Sequence, residues 1–369
     1  MPDASLRPTL GSKLDRRNGF APGFDLMRVA LAAAIFLAHT LWIAGSPQGT
    51  PAPATAVQGW TGPTRPFYIM LVPMFFALSG FLIAGSAFRL KNVKTYIIFR
   101  SLRIFPALCV EVTLSALLLG PIFTTLPLAD YFSDKQFLRY FGNILGFVTF
   151  QLPGVFLHNP VADKVNINLW TLRGEFYSYL IIMAAMATGL FYDRARFTRI
   201  FMLSTALCLI LSLTQGAGVT WGVYPSHVIV YYSLAGCLFF HWKDHIPFGW
   251  GYFVLASLAA YLLLLNPITV YVAPLFLVYA TVALGVMELP RMRWLERGDY
   301  SYGIYLYGFP IAQGLVAMLP AWRGHGIWVL TASTALTLLF AVTSWHCIEH
   351  PILRLKKRFS THTLPRPAN

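Results

Sequence analysis

Apolar residues run along this chain in blocks of about 20, separated by short clusters of charge, Pro and Gly. Such blocks lack both the period-two alternation of a half-buried strand and the polar face that a soluble helix keeps for water. About 20 apolar residues are what a helix needs to cross about 30 Å of hydrocarbon. Ten blocks qualify: 24–44, 67–88, 102–121, 169–190, 200–217, 222–241, 248–265, 269–287, 300–319 and 327–347. An eleventh, 137–157, is shorter and is interrupted by Gly142, Gly146, Pro153 and Gly154.

Charge decides the status of that eleventh block. With ten spans and the N-terminus inside, the cytoplasmic segments are 1–28, 89–103, 191–199, 242–247, 288–299 and 348–369, and they carry 22 of the 28 Lys and Arg. A crossing at 137–157 would move the DRARFTR loop at 193–199 outside and invert every later loop, against the positive-inside rule. The region 123–168 therefore reads as external, with an interfacial or re-entrant apolar part near 137–157. The expected class is an all-α polytopic membrane protein of about ten transmembrane helices. Its organisation is a cytoplasmic segment 1–23, a membrane domain 24–347 and a basic cytoplasmic segment 348–369. The first block carries Asp25, Arg28 and His39 and is too long and too polar for a signal peptide, so it reads as a retained span. Residues 45–66 read as a Pro/Gly-rich external loop.

Composition agrees. Of 369 residues, 57% are hydrophobic and only 11% charged, too few polar residues to cover a soluble fold of this size. Disorder and a disulfide scaffold are excluded on the same grounds. A net charge of +14 would point a soluble protein towards nucleic acid. Here it reads as positive-inside bias and contact with anionic membrane lipids, and no nucleic-acid partner is expected. Cys109, Cys208, Cys237 and Cys347 lie far apart in apolar segments and read as buried thiols.

Ionisable residues inside spans are costly, and each is a candidate site residue. Arg28 and His39 stand eleven residues apart, three helical turns plus about 20°, so they share one face roughly 16 Å apart along the axis. Asp25 shares that face. Snorkelling by Arg28 and a helix-to-helix hydrogen bond by His39 are the structural alternatives. Glu175, in WTLRGEFYSY, lies about five residues below the outer end of the fourth span, at the depth of His39. A carboxylate facing an imidazole fixes its tautomer and strengthens it as a base, although pairing with Arg173 is the plainer use of Glu175. Arg100 and Arg103, at i and i+3 in FRSLRIFP, suit a polyphosphate or else anchor the helix at the inner surface. HWKDH and WHCIEH contain metal-ligand residue types without metal-ligand spacing, and no metal is expected. Ser79 and Gly80 read as small helix-packing residues.

Six strings in order resemble the membrane-bound acyltransferase-3 family. FDLMRVALAAAIFLAH carries its Arg-x10-His as Arg28 and His39. PMFFALSGFLI is similar to its second-helix string, and FRSLR to its Arg-x-x-Arg. LWTLRGEFYSYL, SYGIYLYGFP and CIEHPILR follow, so that the resemblance runs from about residue 20 to 358. Tyr307 stands where a His is common in that family. The resemblance implies a bacterial O-acyltransferase of the cytoplasmic (inner) membrane, with both termini cytoplasmic. It would take an acyl group, acetyl first among them, from cytoplasmic acyl-CoA to a hydroxyl of a carbohydrate or lipid-linked glycan outside. His39 would be the base with Arg28 beside it, and Arg100 and Arg103 would serve the donor. From the residues themselves, Glu175 reads as the catalytic partner of His39, and Arg28 and Arg173 count with the substrate-binding residues. Acyl-CoA is then a substrate and no cofactor is held permanently. Backbone N–H groups, Arg173 or a tyrosine would serve the oxyanion. A glycan transporter or flippase is the rival reading, since ten spans with internal charges also describe a carrier. An extracytoplasmic reporter fused near Arg196 is expected to be inactive; robust activity there would restore the eleventh crossing.

Overall fold

The computed structural model describes residues 8–16, 22–45, 62–215, 224–287 and 298–356. Residues 46–61 of the loop expected at 45–66, the basic stretch 288–297 and the end of the chain from 357 lie outside the described residues. The fold is all-helical, 81% helix with no strands among the described residues. In chain order the helices are α1 (Leu10–Asp15), α2 (Pro22–Ala44), α3 (Arg65–Ile69), α4 (Leu71–Leu90), α5 (Val93–Leu114), α6 (Gly120–Phe123), α7 (Leu128–Ser133) and α8 (Lys135–Tyr140). They continue with α9 (Thr171–Ala187), α10 (Arg194–Gln215), α11 (Ser226–Trp242), α12 (Trp250–Leu264), α13 (Ala273–Val286), α14 (Ser301–Met318), α15 (Gly326–Ser344) and α16 (His350–Arg354).

Each of the ten expected blocks overlaps one of the longer helices, with bounds that differ by up to nine residues at α5. Among the described residues, five helices are able by length and composition to cross a membrane: Gly23–Ala44, Gly62–Leu90, Val93–Phe123, Arg194–Thr214 and Gly326–Arg354. Two shorter apolar helices, Trp250–Leu264 and Ala273–Val286, fall below that length. On α10 the side chains of Leu203, Leu207, Ile210 and Leu213 are all exposed. An apolar row of that kind is unfavourable in water and suits hydrocarbon, so these helices belong to a multi-pass membrane protein.

Contacts divide the chain into two compact units. One contains residues 1–31, 60–96 and 177–297; the other contains 32–59, 97–176 and 298–369. In the first, α4 packs on α11 through glycine. A Cβ at Gly80 would run into the Ser233 carbonyl, and one at Gly236 into the Ala77 carbonyl, so the two backbones approach as only small residues allow. Gly80 thus has the packing role expected of it, and its carbonyl accepts the Cys237 thiol at 3.3 Å. The four thiols are all free, but only Cys237 is buried; Cys109 and Cys208 are half-buried and Cys347 is exposed. Residues 8–16 are not a loose tail. Thr9 caps α1, the Leu10 and Gly11 amides donate to Ile246 and Lys243, and Leu10 and Leu14 are buried. Asp193 caps α10 from the connecting loop, where the Arg196 amide holds its carboxyl below the usual range.

The second unit is built around the C-terminal part of α2, from Ala32 on, with α5, α14 and α15. Ile43, Ala44, Val161, Phe309, Ala312, Val316 and Val329 form its apolar core. The segment 137–157 forms no span-length helix. It is the end of α8, a 3-10 turn at Phe141–Leu145 and irregular chain thereafter. Asn143 pins this segment by donating to the Tyr140 and Thr149 carbonyls while accepting the Thr149 amide. Leu138, Leu145 and Phe147 remain exposed on it.

Two helices of this unit open into single π-helical turns, Ser115–Leu119 and Trp345–Glu349. Each turn is followed one residue later by a proline, Pro121 and Pro351. A proline has no N–H to close the preceding turn, and widening the helix is one way to accommodate it. The Ala116 carbonyl, in the first of these turns, accepts the Tyr131 hydroxyl at 2.7 Å.

Candidate functional site

The site grows from a third proline, Pro310, inside α14. In an unbroken helix the Leu306 carbonyl would accept from residue 310; here that donor is missing. Asn166 supplies one instead. Its side-chain amide donates one hydrogen to Leu306 O at 2.9 Å and the other to Glu111 Oε1 at 2.8 Å. Its own oxygen accepts the Asn168 amide at 3.2 Å, which starts the 3-10 turn Ile167–Trp170. Asn166 is fully buried, and every strong hydrogen-bonding atom of its side chain is used.

Asn168 is held by the same helix. Its amide nitrogen donates to the Tyr305 carbonyl at 2.8 Å, and the Tyr305 hydroxyl donates back to the Asn168 carbonyl at 3.1 Å. Thr171, at the start of α9, meets that hydroxyl at 2.9 Å. The Asn168 side chain reaches the imidazole of His39. His39 itself is buried, 8% exposed, with the edge of Phe309 at 5.6 Å and Trp42 at 6.2 Å between ring centroids. A well-bonded loop therefore presents an amide to a histidine that also lies against Phe309 and Trp42.

The second polar cluster surrounds Arg103. Its guanidinium donates to Asp299 at 2.6 Å and to Glu349 at 3.3 Å, and it lies 5.7 Å from the Tyr302 ring. Glu349, only 2% exposed, also accepts from Ser344, to which Tyr307 donates at 3.3 Å. Tyr307 thus joins a structural hydrogen-bond chain. Glu349, read from sequence only as part of WHCIEH, is an ion-pair partner. His346 and His350 are engaged locally, by the Val342 carbonyl and the Trp345 ring. In the other unit, the His241 ring stacks on Phe197 at 4.8 Å.

The remaining expected site residues are placed as follows. Arg28 is half-buried and pairs with Asp25 at 3.7 Å, in the part of α2 that belongs to the first unit. Arg100 is half-buried on α5, and Arg173 is exposed on α9. Glu175 is half-buried, one turn beyond Thr171 on the same face of α9. Sequence reasoning missed Glu111, Asn166, Asn168 and Asp299. Glu111 carried a usable signal, an acid within the third span, which is the rule that singled out Glu175. Asn166 and Asn168 carried none, because they sit in a stretch read as external loop.

The acyltransferase-3 family model, described as an acyltransferase domain, matches residues 22–346. The chain belongs to that family. As an acyltransferase-3 protein it is an acyltransferase, and the match takes in His39, the two asparagines, Glu111 and Arg103. Nodulation protein 10 of Rhizobium leguminosarum bv. viciae is 26% identical over 375 residues, covering 94% of this chain and 97% of the relative. A protein named O-acetyl transferase from Shigella phage Sf6 is 26% identical over 355 residues, covering 93% and 97%. No solved structure matches the chain. Replacing Arg103 with Leu strands two carboxylates, one of them deeply buried. The expected cost is about 3 kcal/mol, the low end for a buried pair because Arg103 and Asp299 keep some exposure. Thermal unfolding in detergent should show it, with partial recovery in Arg103→Leu/Glu349→Leu; an unchanged midpoint in the single variant would mean the clamp carries no stability.

Proposed function

We propose that this acyltransferase is an integral membrane O-acyltransferase that moves an acyl group from acyl-CoA on the cytoplasmic side to a hydroxyl of a carbohydrate or lipid-linked glycan at the outer side. Acetyl is the group to test first, following the name of the phage relative. The observation that carries the reading is the buried His39 imidazole with Asn168 against it. Apart from its approach to His39, the Asn168 Oδ1 atom has no hydrogen-bond partner among the described residues. It is therefore suited to accept one ring N–H and leave the other nitrogen as a base.

In the proposed reaction that nitrogen takes the proton of the acceptor hydroxyl as the oxygen attacks the thioester carbonyl. The tetrahedral intermediate collapses with loss of the CoA thiolate, and the imidazolium returns the proton to that sulfur. Glu175, one turn beyond Thr171 on α9, supports the positive ring. Arg100 and Arg103 serve the donor's phosphates from the cytoplasmic side, with Asp299 and Glu349 keeping the Arg103 fork in register. The exposed Arg173 on α9 and, in the first unit, Arg28 are the other residues assigned to substrate binding. The topology that goes with this is ten spans in a bacterial inner membrane, both termini cytoplasmic, with 137–157 lying in the outer interface. Its exposed Leu138, Leu145 and Phe147 suit that position.

The test uses purified protein in detergent, labelled acetyl-CoA and a panel of hexose and deoxyhexose oligosaccharides. His39→Ala is expected to lower transfer by about 10²–10⁴-fold while yield and acetyl-CoA binding stay near wild type. Transfer at near wild-type rate would remove His39 from the mechanism.

A further inference from the structure

Glu111 is an acid that the proposed reaction does not use, yet it is 1% exposed in the middle of an apolar helix. Burying a carboxyl there is expensive, and the groups set against it are hydrogen-bond donors. Ser115, one turn on at the start of the π-helical turn, donates its hydroxyl at 3.0 Å. Asn166 donates its amide to the same oxygen at 2.8 Å. The fully buried Tyr140 phenol lies beside both Ser115 and Glu111. The second oxygen, Oε2, has no hydrogen-bond partner among the described residues. A group kept only for packing would be replaced at little cost by an apolar side chain of similar size.

What Glu111 does follows from the path leading away from it. Its Oε1 fixes one hydrogen of the Asn166 amide, and the Leu306 carbonyl fixes the other. The plane of that amide is then set, with Oδ1 aimed at the Asn168 N–H. The Asn168 backbone is thereby held where its side chain reaches His39. Without an acceptor at position 111, the Asn166 amide turns about its side-chain bonds and the 166–168 loop loses its register. Side-chain amides do not pass protons along, so Glu111 acts on His39 through geometry.

We infer that Glu111 is a positioning residue for the acyl-transfer reaction, acting through the Asn166 amide on the loop that holds Asn168 against His39. This rests on the assignment of His39 as the base. Glu111→Ala removes the acceptor. Loss of alignment at a reacting group costs about tenfold to a hundredfold, so kcat is expected to fall by that factor while both KM values move less than about threefold. Glu111→Gln keeps a carbonyl oxygen for Asn166 and is expected to retain at least about a third of kcat.

The decisive comparison reverses the pair. Asn166→Asp sets a carboxylate against the Glu111 carboxylate and is expected to lose about as much kcat as Glu111→Ala. In Glu111→Gln/Asn166→Asp the new amide at 111 donates to the new carboxylate at 166 while the Leu306 carbonyl stays without its donor, so kcat should recover in part, by about threefold over Asn166→Asp alone. A merely structural role would change yield and stability without that recovery. The assay is acetyl transfer from labelled acetyl-CoA to the most active oligosaccharide, with rates per folded protein from size-exclusion chromatography. Should Glu111→Ala fail to fold, the Asn166→Asp pair of variants decides alone. Wild-type kcat in Glu111→Ala, or no recovery in the double variant, overturns the inference. If His39→Ala in the same assay is inactive, only the role of Glu111 has failed; if His39→Ala is active, the base assignment has failed as well.

Discussion

One missing hydrogen organises the polar interior of the second unit. Pro310 has no backbone N–H, and hydrocarbon offers no water to satisfy the carbonyl it leaves open at Leu306. The protein must supply a donor, and Asn166 does. Once its amide is committed there and to Glu111, the following turn can form in only one register. Asn168 then bonds Tyr305, Thr171 begins α9 and His39 receives its polar neighbour. The proline thus both leaves a carbonyl open in α14 and anchors a loop that would otherwise have no reason to enter the bundle.

The same constraint is why most polar atoms of the cluster are bonded, the Glu111 Oε2 atom being an exception among the described residues. A buried polar group left unmatched costs free energy comparable to several ordinary contacts. Asn159 and Gln313 repeat the solution further along α14, where Gln313 accepts from Asn159 and donates to the Val161 and Lys164 carbonyls. Between them, Asn159 and Asn166 tie the 151–168 region to α14 at two levels. The irregular chain is tolerated there because it is buried in protein rather than in lipid.

The helices were legible because apolar runs of about 20 residues, repeated along a chain, suit little besides helices in a membrane, and each expected block overlaps one. The failure of 137–157 to form a span-length helix was legible too, from its glycines and from the charge of the later loops. His39 and Arg103 stood out as ionisable residues in apolar surroundings. What surrounds them did not. The partners of Arg103 are Asp299 and Glu349, 196 and 246 residues away in sequence, and no local pattern pairs them. Asn166 and Asn168 are ordinary loop residues until Pro310 is known to lie opposite. The docking of residues 8–16 likewise depends on backbone groups at 243–248, which carry no sequence signal.

The proposed mechanism depends on whether the Asn168 amide sets the working geometry of His39. Asn168→Leu keeps the volume and removes the amide from beside the imidazole. The direct measurement is kcat for acetyl transfer per folded protein, with KM for donor and acceptor determined in parallel. A fall in kcat of about tenfold to a hundredfold with KM nearly unmoved is the predicted result. Wild-type kcat in Asn168→Leu would contradict it, because the cradle built on Pro310 would then be architecture without a part in the reaction.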